Sequence, residues 1–313
     1  MSATLARRAF TLGLAAGALS LAGPHAARAE TAGAGRGGLI ERRESQYNTI
    51  YVVRQPNGQI GMIFGINRQL FTESLYDPAA PRTLPVIYTR YMTVGLAYTP
   101  RAASILEIGL GGGRTAFYLH QHMPAALINV VELDPEVINL AKRHFDIVTD
   151  DRFRIIERDG RIYLTQNQAR HDLILVDAYR GTFVPFHLLT REFFMMTKRR
   201  LNPGGAVVQN IEPSTMLYPA AVATLKSVFA NVDTYDADGN VVAVCYDGPA
   251  KTGAQLRARA AALQGQFRFT HPLPAMLARR RTASAGSGQV LTDDFAPVES
   301  LRAIELHNQR PGQ

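Results

Sequence analysis

Three carboxylates stand at or just beyond the ends of apolar runs. Glu132 follows Leu127-Ile-Asn-Val-Val131, Asp159 comes shortly after Ile155-Ile156, and Asp177 follows Leu173-Ile-Leu-Val176. Upstream lies a glycine-rich stretch, in which Ser104-Ile-Leu-Glu-Ile108 runs into Gly109, Gly111, Gly112 and Gly113 before helix-forming residues begin. A glycine loop lets a ligand lie against bare backbone, and the helix after it aims its first N–H groups into the same space. Acids at neighbouring strand ends can accept hydrogen bonds from the hydroxyl and amino groups of that ligand. The chemistry this suits is nucleoside binding, with a reacting group beside Asp177. There a carboxylate can take a proton or orient an attacking atom; the competing role is a structural acid that bonds loop N–H groups.

The spacing narrows the nucleotide. The dinucleotide fingerprint needs glycines at its first, third and sixth positions, and counting from Gly109 the sixth is Arg114. Gly109-x-Gly111-x-Gly113 instead has the spacing of class I S-adenosylmethionine-type folds, whose loop lies under a nucleoside and its tail without a pyrophosphate. Glu132 falls 23 residues after Gly109, where an acid meets ribose hydroxyls in such folds. Its other reading is an N-terminal charge for a helix starting at Pro135, a task Asp134 fills better as cap. Asp159 can accept from an adenine amino group, with Gly160 leaving room for the ring, and can cap the next helix as well.

The elements that must hold these residues alternate. Strands are expected at Ser104–Ile108, Leu127–Glu132, Phe153–Glu157, Asp172–Asp177, Ala206–Ile211, Val232–Asp236 and Asn240–Tyr246, with helices at Thr115–His122, Pro135–Phe145, Arg161–Asn167, Thr190–Leu201 and Tyr218–Phe229. Alternating βα units predict an α/β fold with a mostly parallel, seven-stranded Rossmann-like sheet and ligands at the carboxyl ends of its strands. The last two strands, joined at Asp238-Gly239, form an antiparallel hairpin at one edge. Ahead of this domain, a small β-rich domain covers residues 39–85. It holds a hairpin, Thr49–Arg54 and Gln59–Phe64, about the turn Pro56-Asn57-Gly58, and a third short strand near Gln69–Thr72. Val86–Tyr98 has helical spacing and leads into residues 86–313, the catalytic domain. From Pro249 the chain reads as a basic tail in which Arg279-Arg280-Arg281 is a solvated patch.

Composition bounds the partners. The 313 residues carry a formal charge of +8, but the 34 Lys and Arg are scattered without aromatic interleaving, so nucleic acid is not an expected partner. The single cysteine, Cys245, lies in an apolar strand and excludes an intrachain disulfide or a multi-cysteine metal site. The eight histidines lack metal-ligand spacing, and no metal is expected. His187 follows Asp177 on a loop and could enter the site, although a surface position is the safer expectation.

Taken in order, the motifs resemble a family. Gly-Leu-Gly-Gly-Gly at 109–113, Val-Glu-Leu-Asp-Pro at 131–135, Arg-Asp-Gly-Arg at 158–161, Leu-Val-Asp-Ala-Tyr at 175–179 and Leu-Leu-Thr-Arg-Glu-Phe-Phe at 188–194 follow the β-rich segment, with Leu-Thr-Asp-Asp-Phe-Ala-Pro at 291–297 near the end. The set resembles the spermidine synthase (polyamine aminopropyltransferase) superfamily, in its bacterial spermidine synthase-like branch. The resemblance implies aminopropyl transfer from decarboxylated S-adenosylmethionine to an amine. It implies that Glu132 holds the ribose, Asp159 and Gly160 the adenine, that Asp177 is the proton acceptor, and that Asn48 and Pro185 contact the nucleoside. The family's amine-binding acids are replaced: Gly112 stands for the loop Asp, Arg180 for the second acid, and Ile87-Tyr88-Thr89 for Tyr-His-Glu. With Arg114 and Arg180 present, the acceptor is expected to be less cationic than a polyamine, or acidic, with Tyr179 and His187 as further contacts. The donor alternatives are decarboxylated S-adenosylmethionine and S-adenosylmethionine. A methyltransferase on the same scaffold and an exported non-catalytic nucleoside-binding protein stand as other readings, and a homodimer is left open.

The N-terminus points to export. Arg7-Arg8-Ala9-Phe10 precedes an uncharged apolar segment, Thr11 to Ala22, and Ala27-Arg28-Ala29 supplies small residues where a signal peptidase reads. Residues 1–29 are therefore expected to be a twin-arginine leader, its partner the twin-arginine export machinery, and residues 30–38 a flexible lead-in to a periplasmic or secreted protein. Intact-mass measurement of protein recovered from the periplasm should give a chain beginning at Glu30. A mass that retains Met1 or Ser2 would count against the leader.

Overall fold

The computed structural model describes residues 37–66, 69–179, 184–215, 217–283 and 288–295. The leader, residues 30–36 of the lead-in, Arg180 and Ala296-Pro297 lie outside them.

The chain opens with a four-stranded antiparallel meander, β1 (Gly38–Glu44), β2 (Thr49–Arg54), β3 (Ile60–Ile66) and β4 (Gln69–Tyr76). Gly38, expected in the lead-in, is the first residue of β1, and β4 runs four residues beyond the expected Thr72. The polar β1 was not foreseen as a strand: Glu41-Arg42-Arg43-Glu44 has no apolar face, and its extended state comes from pairing with β2. Its outer charges dock on a helix of the main domain, α3 (Pro135–His144), where Glu41 bonds Arg143 and His144 at 2.6 Å each. The His144 hydrogen bond is the largest of the effects that hold the Glu41 carboxyl at about 2.

After α1 (Ile87–Met92) and a 3-10 segment at Thr93–Tyr98, which shortens the expected helix, the βα alternation follows. In order come β5 (Ser104–Ile108), α2 (Arg114–His122), β6 (Leu127–Glu132), α3, β7 (Phe153–Glu157), α4 (Gly160–Gln166), β8 (His171–Val176), α5 (Arg191–Arg199), β9 (Leu201–Ile211), α6 (Tyr218–Val228), β10 (Asn231–Asp236) and β11 (Val241–Tyr246). The Pro203-Gly204-Gly205 stop falls inside β9, which begins earlier than expected. Every residue of β8 is buried, as befits a parallel strand covered on both faces.

The sheet has eight strands, not seven, in the order β12-β10-β11-β9-β8-β5-β6-β7, where β12 is Arg280–Thr282. Five neighbours, β9 to β7, are parallel and the other three antiparallel. From β5 the chain winds outward through β6 and β7 on one side, then returns to β8 and β9 on the other. That reversal opens a crevice at the carboxyl end of β5.

The supposed basic tail is folded. Residues Gly253–Phe267 form α7, started by a Thr252–Gln255 capping box, and Leu273–Leu277 form α8. Leu256, Ala260 and Leu263 of α7 and Leu273 of α8 enter the same core as α1, α2, α3 and the inner face of the N-terminal sheet. The opposite face of the main sheet is covered by α4, α5 and α6. Arg280, assigned above to a solvated patch, reaches the buried Asp233 of β10 at 2.9 Å. Asp233 also accepts from Tyr98 at 3.0 Å and Tyr246 at 3.3 Å, and this pairing sets β12 outside the hairpin that was expected at the sheet edge. Asp233→Ala removes the carboxylate that Arg280, Tyr98 and Tyr246 share and should cost roughly 2–4 kcal/mol of unfolding free energy in urea titration.

Candidate active site

The crevice above β5 is closed from the other side by the N-terminal sheet. The turn after β1 presses on the start of α3, where Asp134 caps Glu136 N–H at 2.9 Å with one oxygen and accepts the Ser45 hydroxyl with the other. This contact brings Asn48 over the cavity. Its Oδ1 is buried with no hydrogen-bond partner among the described residues, an acceptor suited to a ligand donor.

The glycine loop is shaped by close approach. Gly109 has φ +96°, and a Cβ on it would lie 2.4 Å from the Asp177 carbonyl oxygen, so the backbones after β5 and β8 touch there. Gly111 lines the cavity, whereas Gly113 caps α2 outside it, against Ile147. Gly112 donates its N–H to Ser74 of β4 at 2.8 Å. A Cβ at Gly112 would meet Phe145 at 2.7 Å and Ser74 at 2.8 Å, so the space that a loop acid would need is filled.

Glu132 ends β6 with both oxygens anchored: Leu110 N–H donates to one at 2.8 Å and Asp134 N–H to the other at 2.9 Å. The carboxylate is thus held still beside the loop, with lone pairs left to accept further hydrogen bonds. Burial raises its pKa, and the two N–H groups oppose that rise.

Asp159 does two things at once. One oxygen caps α4 through Ile162 N–H at 2.9 Å, and the other meets His187 Nε2 at 2.8 Å. Burial would raise the Asp159 carboxyl, but these bonds with His187 and the backbone hold it below its ordinary value. His187 is therefore a cavity-wall residue and not the surface histidine expected. Gly160 opens α4 where a Cβ would lie 2.4 Å from Ile108, so its bareness serves helix-on-strand packing as well as cavity space. Pro185 begins the 3-10 turn that carries His187.

On the far side of β5, Asp177 accepts from Asn210 Nδ2 of β9 at 2.8 Å, and Asn210 is itself bonded to Asn240 at 2.9 Å. Tyr179 donates to the Asn210 carbonyl at 2.7 Å and lines the same cavity. Arg114 corrects an expectation. Its guanidinium donates to the carbonyls of Phe145 and Pro81 and lies 4.5 Å over the Tyr76 ring, so it braces the loop and is not a free cation for an acidic acceptor.

Asn210, Glu73 and Glu107 line the cavity and were not singled out from the sequence. Glu107, in β5, is 3% exposed and lines the cavity floor. An acid inside Ile105-Leu-Glu-Ile108, an otherwise apolar strand, was the available signal.

The spermine/spermidine synthase domain model matches residues 86–245. The chain belongs to that family. It is similar to the polyamine aminopropyltransferase of Vibrio vulnificus, 28% identical over 86% of this chain and 93% of that protein. A polyamine aminopropyltransferase of Chromobacterium violaceum is 33% identical over 62% of this chain and 77% of its own length. A solved spermidine synthase, in complex with the transition-state analogue AdoDATO, shares the fold with a TM-score of 0.63 at 18% identity, covering 77% of this chain and 85% of that one. The chain is accordingly an enzyme of aminopropyltransferase type with a methyltransferase-like sheet.

Because Phe145 and Ser74 occupy the space beside Gly112, Gly112→Asp should destabilise by about 1–3 kcal/mol from overpacking. Thermal melting is the measurement, and an unchanged melting temperature would show that the loop has room for the acid.

Proposed function

We propose that the protein transfers an aminopropyl group from decarboxylated S-adenosylmethionine to an amine. The observation that carries this reading is the disposition of acids across the switch point. Glu132 at the end of β6 and Asp159 just after β7 lie on one side of β5, and Asp177 with Asn210 lies on the other. A nucleoside fixed at the first pair would lay its sulfonium tail across the glycine loop toward the second.

In this reading the acceptor nitrogen attacks the sulfonium-bound carbon of the aminopropyl group in line. A C–N bond forms, the C–S bond breaks, methylthioadenosine leaves, and the proton of the amine passes to Asp177. Asn210 orients that carboxylate, and Glu132, Asp159 and Asn48 hold the nucleoside. The acids Glu73, Glu107, Glu132, Asp134, Asp159 and Asp177 outnumber the cavity's described cations, and with Arg114 turned to carbonyls the lining supports a cationic amine over an acidic acceptor.

Calorimetric titration with methylthioadenosine tests the nucleoside half: Glu132→Ala should weaken binding roughly 100-fold by removing a charged double acceptor. Asp177→Asn should leave that binding within a factor of about two, while turnover with decarboxylated S-adenosylmethionine and a diamine falls about 10²- to 10⁴-fold. Failure of the wild-type protein to bind the nucleoside would overturn the reading.

A further inference from the structure

Glu107 is the least explained charge in the cavity. It sits two residues before Gly109 on β5, beside Val130 of β6 and Leu175 of β8 in register, so its side chain shares the face from which Glu132 and Asp177 rise. An isolated carboxyl buried to this extent is costly unless something pairs with it. The Ala116 N–H, in the first turn of α2, favours its ionised form, but Oε2 is buried with no hydrogen-bond partner among the described residues. Burial first, and the charge of Asp177 second, push its pKa well above the ordinary carboxylate range. The other carboxyl, imidazole and guanidinium groups lining this cavity are those of Glu73 of β4, Glu132, Asp134, Arg158, Asp159, His187 and Arg114, whose guanidinium is committed to two carbonyls. Glu107 is thus an acid held ready for a cation, below the path that joins the nucleoside side of the crevice to Asp177.

The geometry points to Glu107 as the residue that binds the ammonium of the donor's aminopropyl tail and selects the decarboxylated donor over S-adenosylmethionine. It stands in for the acid that the filled space at Gly112 excludes. This rests on the donor assignment above. An ammonium placed between Glu107 and Asp177 satisfies the unpaired oxygen and favours ionisation of the acid, so binding releases a proton. The α-carboxylate of S-adenosylmethionine, brought to the same place, meets two acids and is disfavoured.

The test is calorimetric, with full-length protein and three probes: methylthioadenosine, which lacks the ammonium, decarboxylated S-adenosylmethionine, and S-adenosylmethionine. Titrations near pH 7.5 in buffers of different ionisation enthalpy read proton release directly. The wild-type protein should bind the decarboxylated donor at least about tenfold more tightly than either other probe, with proton release seen only for that donor. In Glu107→Gln both the preference and the proton release should vanish, while methylthioadenosine affinity stays within about threefold, which a merely structural role would not produce. Preference and proton release that persist in Glu107→Gln overturn the assignment and leave the functional reading standing. So does a wild-type protein that binds methylthioadenosine and shows neither preference nor proton release, an outcome that needs no variant to fold. A wild-type protein that binds none of the three overturns both.

Discussion

The backbone contact between Gly109 and Asp177 is the constraint on which the site depends. With a side chain at 109 excluded by 2.4 Å to the Asp177 carbonyl, the loops after β5 and β8 can press together at the point where the sheet reverses its winding. That approach turns Leu110 N–H onto Glu132 and brings the charge of Asp177 to bear on Glu107. Five neighbouring strands, β5 to β9, contribute acids or amides to one cavity because two bare stretches of backbone meet.

The N-terminal sheet completes what the main sheet cannot. A crevice at a switch point is open to solvent on its upper side, and the meander covers it through polar contacts as well as apolar packing. Ser45 meets the cap of α3, Ser74 accepts from Gly112, and Glu41 ties β1 to the last turn of α3. The same contacts change the loop's chemistry. Ser74 and Phe145 fill the volume beside Gly112, so negative charge in the cavity comes from the strand floor and the strand ends, not from the loop.

Much of this was legible from residue pattern. The βα alternation, the glycine spacing and the acids at 132, 159 and 177 are local signals, and each is written within a few residues. The segment after Pro249 was misread although its signals were present: Leu256, Ala260 and Leu263 recur at helical spacing behind a capping box. Strands β1 and β12 carried no such signal, because most of their residues are polar and become extended only through a partner strand and, for Arg280, a buried acid.

What the sequence determined by itself, then, is the element order, the loop and the positions of the acids at the strand ends, since hydrophobic period and glycine spacing act over short range. Tertiary structure alone decided which charges face the cavity. Arg114 has the sequence credentials of a substrate cation, yet two carbonyls and the Tyr76 ring take it up. His187 reads as a surface residue, yet its loop folds back onto Asp159. Glu107 is written in a strand of the core, and it faces a cavity because the winding of the chain through the sheet reverses beside it. Charge and hydrogen bonding depend on what lies within a few ångströms in space, and that is set by chain segments far apart in sequence.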